Sequence, residues 1–156
     1  MRPLPVTTAG HGEITVKLPA RASHSFILPD AERRLMAMVN RERRARGLSP
    51  LILDASLQLF ARQHAREMAL RGYLGHRSVS GQTLRARLAP YLRPGTRIGE
   101  NVAMVRTIDE GHRAFIASPA HLENMLDPKF RRVGIGVTTA GDMGIMITEE
   151  FAGSVS

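Results

Sequence analysis

The clearest pattern in the chain is a run of apolar positions at helical spacing. Leu57, Phe60, Ala61, His64, Ala65, Met68 and Ala69 recur at i, i+3, i+4 and i+7, the stripe of an amphipathic helix lying on a core. Asp54 stands where an N-cap belongs and Gly72 where such a helix ends. An earlier stripe of Leu35, Met38, Val39 and Arg43 predicts a helix opened by Pro29-Asp30, with Asp30 as its N-cap and Gly47 as the glycine beyond its end. Ser49-Pro50 then begins a short linker through Leu53. Thr83 is placed to cap a short helix through Leu88, stopped by Pro90, and Arg93-Pro94-Gly95 reads as a turn. Ile98 to Val105 reads as extended, with Gly99 at a bend. Thr107 caps a helix over Ile108 to Ala117. Ser118-Pro119 starts another that Asp127-Pro128 ends.

The period changes near the end of the chain. Val133 to Thr138 alternates apolar residues with glycine, and Gly144 to Thr148 is a compact apolar run. Ala140-Gly141-Asp142 between them predicts an antiparallel hairpin. Residues 1–28 read differently. Pro3, Pro5, Gly10 and Gly12 argue against helix, and Glu13 to Leu18 alternates as a half-buried strand does. Ser25 to Leu28 is a second extended piece, so the segment reads as an arm or edge strand. The division is then an arm over 1–28, one domain over 29–153 and a tail over 154–156. Helices first and strands later point to an α+β or three-layer arrangement and not to a βαβ parallel sheet.

Composition changes this picture little. At 156 residues, with 43% apolar and 23% charged residues, the chain is one globular domain with a real core. Its formal charge is +8, carried almost wholly by arginine, since Lys17 and Lys129 are its lysines. The run from Arg41 to Arg46 falls at a helix end, where positive charge suits the dipole. Aromatics are 4%, too few for base stacking, and the basic residues are scattered along the sequence, which disfavours nucleic acid as a partner. The absence of cysteine excludes disulfides and thiol chemistry and leaves the compartment open. No apolar run is long enough to span a membrane, and Pro3 and Pro5 stand where a signal peptide has its apolar stretch. The protein therefore either stays inside the cell or is read here as a mature or trimmed chain.

Three residues able to do chemistry lie beside turn and cap signals: His76, Glu100 and His121. His121 falls at N3 of its helix, where the positive end disfavours imidazolium and leaves the neutral ring that binds a metal or accepts a proton. A hydrogen bond to a nearby loop is an equally good account of it. Glu100, flanked by Gly99 and Asn101 in an apolar stretch, is placed to act as a base, to orient a histidine or to tie down a loop. His64, on an apolar stripe, reads as a packed core histidine. The three candidates are far apart in sequence and form no local metal pattern.

What unites them is a resemblance. From about Asp30 to Phe151 the chain resembles a bacterial CAP-superfamily domain, of the SCP or pathogenesis-related-1 type. The residues that carry it are Leu35 to Arg43, Ala61 to Ala69, Gly72-Tyr73-Leu74-Gly75-His76, Gly99-Glu100-Asn101-Val102, Ser118-Pro119-Ala120-His121-Leu122-Glu123-Asn124 and Phe130 to Gly136. The resemblance implies a three-layer α-β-α sandwich around a central antiparallel sheet. It also implies a cleft holding His76 and His121 with Glu100, lined by Asn101 and Ser118, where many members hold a divalent metal such as zinc. Its expected role is extracytoplasmic, secreted or periplasmic. A monomer would bind a small apolar, lipid or cell-wall ligand.

The alternative implied is a metal-dependent hydrolase or protease with His76 and His121 as ligands and Glu100 as base. Two departures bear on this. Many eukaryotic members carry a second glutamate before the second histidine, whereas Phe115 to Ser118 offers none. Where bacterial members have an aromatic-rich last strand, this chain has Met146-Ile147-Thr148-Glu149-Glu150-Phe151, with Glu149 and Glu150 expected at the surface.

Overall fold

A computed structural model describes residues 6–8 and 14–153. The tail over 154–156, and the part of the expected arm that holds Pro3, Pro5, Gly10, Gly12 and Glu13, lie outside the described residues. The elements run β1 (Val6–Thr8), β2 (Val16–Lys17), α1 (Pro29–Ala45), β3 (Ile52–Leu53), α2 (Ala55–Arg71), β4 (Tyr73–Leu74), α3 (Leu84–Leu88), β5 (Ile98–Val105), α4 (Ile108–Ala117), α5 (Pro119–Leu126), β6 (Phe130–Thr139) and β7 (Ile145–Gly153). A five-stranded sheet has the order β1-β5-β7-β6-β3, and β2 pairs with β4 in a separate ribbon. The sheet is antiparallel from β1 to β6. The linker expected after Pro50 joins its far edge as β3, parallel to β6.

The sheet is covered on both faces. On one, Leu35 and Val39 of α1, Ile108 and Phe115 of α4 and Met125 of α5 pack on Ala103, Val105, Ile135, Ile147 and Phe151. On the other, Ala65, Met68 and Ala69 of α2 meet Val102, Met104 and Met146, while Leu57, Leu84 and Leu88 gather over Ala152. The alternating glycines of β6 explain how α2 lies so close. A Cβ at Gly134 would stand 2.1 Å from the Leu57 carbonyl carbon, and one at Gly136 would stand 2.4 Å from that of Ala61. The helix therefore rests on bare strand backbone.

Local signals place most helix ends. The Asp54 carboxylate accepts from Leu57 N, Thr83 Oγ1 from Ala86 N and Thr107 Oγ1 from Glu110 N. Gly72 ends α2 at φ 72°. Asp30 is not the cap of α1: the helix begins at Pro29 with Leu28 as N-cap, and the Asp30 carboxylate pairs with Arg33 one turn on. Proline's fixed φ starts this helix without a side-chain cap. Gly99 makes no bend in β5, which is continuous. A Cβ there would sit 2.9 Å from Asn124 Oδ1 and 3.0 Å from Phe130 Cζ, so glycine permits close packing. Arg43, the charged member of the α1 stripe, is fully buried. Its guanidinium donates to the carbonyls of Ser49, Met125 and Asp127, binding the end of α1 to the end of α5.

Candidate functional site

The site is built on one dipeptide of β5. Successive strand residues point to opposite faces, so Glu100 and Asn101 serve two different layers. Glu100 lies opposite Glu150 of β7 and Asn101 opposite Glu149. Because β7 is the middle strand of the sheet, all four side chains are fully buried. This corrects the expectation that Glu149 and Glu150 lie at the surface, since a central strand covered on both faces has no solvent side.

On the α2 face, Glu100 is an anion held from two directions. His76 Nδ1 lies 2.7 Å from Oε1, and Arg87 Nη1 donates to Oε2 at 3.2 Å. Since an ionised carboxylate only accepts, the Nδ1 of His76 carries the proton. The same Arg87 Nη1 donates to the His76 carbonyl at 2.8 Å, and Nη2 reaches Glu150 Oε1 at 3.5 Å. His64 Nε2 is 2.7 Å from the Gly75 carbonyl and 3.9 Å from Glu100 Oε1. This fixes the loop that carries His76 from beneath, as expected of a core histidine.

The electrostatics follow from burial. Burial raises the pKa of Glu100, but the positive potential of His64 and Arg87, with hydrogen bonds from Glu150 and His76, outweighs it and holds the carboxyl below its usual range. Burial pushes His64 down to about 4. That leaves its ring neutral at neutral pH, with Arg87 as the lasting counter-charge. Glu150 is driven the other way, well above the ordinary carboxylate range, first by burial and then by the charge of Glu100. Only its protonated form can donate the hydrogen bond that the Glu100 carboxylate receives from it.

On the opposite face, Asn101 Nδ2 donates to the His121 carbonyl and to Glu149 Oε1, both at 3.1 Å. Asn124 Nδ2 donates to Asn101 Oδ1 at 2.9 Å and to the Glu100 carbonyl at 3.3 Å, tying α5 to β5. Ser118 stands at the N-cap of α5, but its hydroxyl makes no cap bond; it meets His121 Nδ1 at 2.7 Å. The His121 ring stacks on Phe115, with centroids 5.2 Å apart. Burial raises Glu149 to about 8, against the hydrogen bond from Asn101.

The structure thus joins His76 to Glu100 in one network and His121, Ser118 and Asn101 in another. The networks meet at the Glu100-Asn101 peptide. Arg87 is a partner that the sequence did not single out, whereas Asn124 stood in the Ser118–Asn124 motif and Glu149 and Glu150 were expected at the surface. Arg87 carried a signal, since it shares the buried stripe of α3 with Leu84 and Leu88, and a cation on such a stripe needs an acid.

Among the described residues no group of three or more His, Asp or Glu side chains is placed to hold a metal ion. Glu100, the carboxylate beside His76, is already engaged through both oxygens. Catalytic zinc ordinarily takes three protein ligands, so these donors do not fit such a centre.

Comparison with known proteins bears on the family and the fold. The family profile described as "CAP: Cysteine-rich secretory protein family" matches residues 36–148. The chain is 28% identical over 123 residues to the uncharacterized protein YkwD of Bacillus subtilis, covering 78% of this chain and 47% of that protein. It therefore spans less than half the length of that relative.

Among solved structures, an extracellular SCP-domain protein from Bacillus anthracis superposes with a TM-score of 0.71 at 23% identity, covering 81% of this chain and 41% of that one. An outer surface protein of Borrelia burgdorferi gives 0.75 at 18% identity, with 83% and 97% covered. These likenesses carry the α-β-α fold. With the family profile spanning α1 to β7, the chain belongs to the CAP, or cysteine-rich secretory protein, family, although it contains no cysteine.

Proposed function

We propose that the chain is an extracytoplasmic binding domain whose centre, around His76, Asn101, Ser118 and His121, holds a small apolar, lipid or cell-wall ligand without cleaving it. The observation that carries this reading is the state of Glu100. It is fully buried and ionised, with one oxygen on His76 and the other on Arg87. A general base must reach a substrate or water proton and exchange it near the working pH. A carboxylate locked in an ion pair and held below its usual pKa does neither. Its role is to fix the His76 ring and the loop that bears it. Export is supported by the extracellular and outer-surface descriptions of the structural relatives.

The test measures binding and turnover on the same samples. Fluorescent fatty acid and solubilised wall fragments are titrated into wild type, into Glu100→Gln and into a variant carrying both His76→Ala and His121→Ala. Wild type is expected to bind one of them and return it chemically unchanged, while the double variant binds at least about tenfold more weakly, a change of about 1.4 kcal/mol. Turnover that disappears in a folded Glu100→Gln protein, or on adding a chelator, would restore the hydrolase reading.

A further inference from the structure

One cavity beside the sheet lies apart from the central site. It has a volume of about 550 Å³ and opens between the segment after α3 and the turn leading into β6. Arg85, Arg97, Lys129 and Arg131 line it, and no acidic residue does. A second cavity of about 290 Å³ shares Arg85, Gly95 and Ile98 with the first and adds Arg93, together with the apolar surface of Ala89, Leu92 and Pro94. Residues distant in sequence thus form a cationic pocket with an apolar annex, where the sequence alone showed scattered arginines.

Several of these cations are held by bonds at a single nitrogen. Arg85 Nη1 donates to the Thr96 carbonyl at 3.2 Å. Arg97 Nε donates to Asp127 Oδ2 at 2.6 Å, and its guanidinium lies over the Phe130 ring. Arg131 Nη1 donates to the Pro128 and Phe130 carbonyls. The Lys129 ammonium and the Arg93 guanidinium make no hydrogen bond or ion pair among the described residues. Asp127 offsets one charge, so the pocket and its annex keep a strong positive excess. A guanidinium presents several N–H donors in a planar fork that matches phosphate oxygens. The volume falls within the ordinary range for small-molecule sites.

We propose that this pocket binds a phosphate ester, with the phosphate among Arg85, Arg97, Lys129 and Arg131 and the attached carbon portion over Leu92, Pro94 and Ile98. A single carboxylate would leave most of the positive charge unanswered. A nucleic acid fits less well, since no aromatic ring lines the cavity for a base to stack on. The phosphate can belong to a free ester or to an anionic lipid headgroup, and the chemistry of recognition is the same. The pocket lies apart from His76 and His121, so it stands or falls independently of the reading of the central site.

The experiment uses the full chain and two double charge reversals. Lys129→Glu with Arg131→Glu alters the pocket. Arg34→Glu with Arg44→Glu makes the same change in net charge at exposed positions that do not line it. A third protein with Lys129→Gln and Arg131→Gln guards against misfolding of the reversed pocket, and circular dichroism checks each. Glycerol phosphate is titrated by calorimetry. Vesicles of phosphatidylcholine, with and without phosphatidylglycerol, are tested by flotation.

Saturable binding in wild type is expected to fall at least about tenfold in both pocket variants and to change less than about twofold in the control pair, and it should weaken with added salt. Flotation that needs phosphatidylglycerol and is lost with the pocket assigns the phosphate to a headgroup. Binding of glycerol phosphate alone assigns it to a free ester. Equal losses in pocket and control variants would reduce the effect to overall charge and overturn the proposal. So would the absence of saturable binding to either probe, or tighter binding of random duplex DNA that ignores the pocket substitutions.

Discussion

Arg87 is the residue on which the central network depends. It is nearly buried and is the counter-ion of Glu100, a neighbour of Glu150 and a donor to the loop that carries His76. Removing one partner of a buried pair leaves a charge with nothing to answer it, at a cost of about 3–5 kcal/mol. Arg87→Met is expected to lose that much in urea unfolding. Adding Glu100→Gln should recover a large part, because the stranded charge goes with it. Strictly additive losses would show that the two side chains do not act as a pair.

The same burial sets the response to pH. Glu149 has a folded pKa of about 8 against an ordinary value of 4.5, so its contribution is fully present below about 4.5 and is lost as pH rises to 8. Glu150 acts in the same direction. The depressed pKa values of His64 and Glu100 act oppositely, and their contributions are lost as pH falls, for His64 between 6.5 and about 4. Stability should peak near about pH 5 and decline toward pH 8. Glu149→Gln keeps the acceptor for Asn101. It should gain on wild type by up to about 1.4 kcal/mol per pH unit over the window from 4.5 to 8, read from unfolding curves at a series of pH values.

Among the elements, the contact between α2 and β6 is the least forgiving. A methyl at Gly136 would drive into the α2 backbone at Ala61, which cannot turn aside as a flexible side chain would. Gly136→Ala should therefore exceed the usual overpacking cost of about 1–3 kcal/mol and abolish a cooperative thermal transition. Gly81→Ala is the comparison. That glycine has φ 88° with open space around it, so only backbone strain of about 1–2 kcal/mol is expected. Similar melting shifts in the two variants would mean that the helix can retreat from the sheet.

The elements also show what the sequence could reveal. The α2 stripe, the caps at Asp54, Thr83 and Thr107, and the hairpin after Val133 were legible because each rests on neighbours close in sequence. The burial of Glu149 and Glu150 was hidden, because a strand's place in its sheet is decided by distant strands. The diverted hydroxyl of Ser118 was hidden too: the cap signal was genuine, but His121 competes for the same oxygen. The cationic pocket collects residues from 85 to 131 that no local spacing connects.

At the scale of the molecule, the sequence motifs located the fold and the Glu100-Asn101 dipeptide, and the strand order then determined what surrounds them. That order has a further consequence. β5 and β6 are not neighbours; β7 lies between them and pairs with both. During synthesis the ribosome releases β5 and β6 before the strand that joins them, so the nascent chain carries two long strands with their inner edges unpaired. Non-local pairing of this kind folds late and exposes edges to other chains. Arrested chains that stop before Ile145 should be cleaved rapidly by added protease, while chains carrying a spacer beyond Gly153 should resist it. Protection before Ile145 would mean that the helices alone form a stable body. If the prediction holds, the polypeptide stays unfolded until almost all of the domain has emerged, the state in which a chain can still be threaded through a membrane channel.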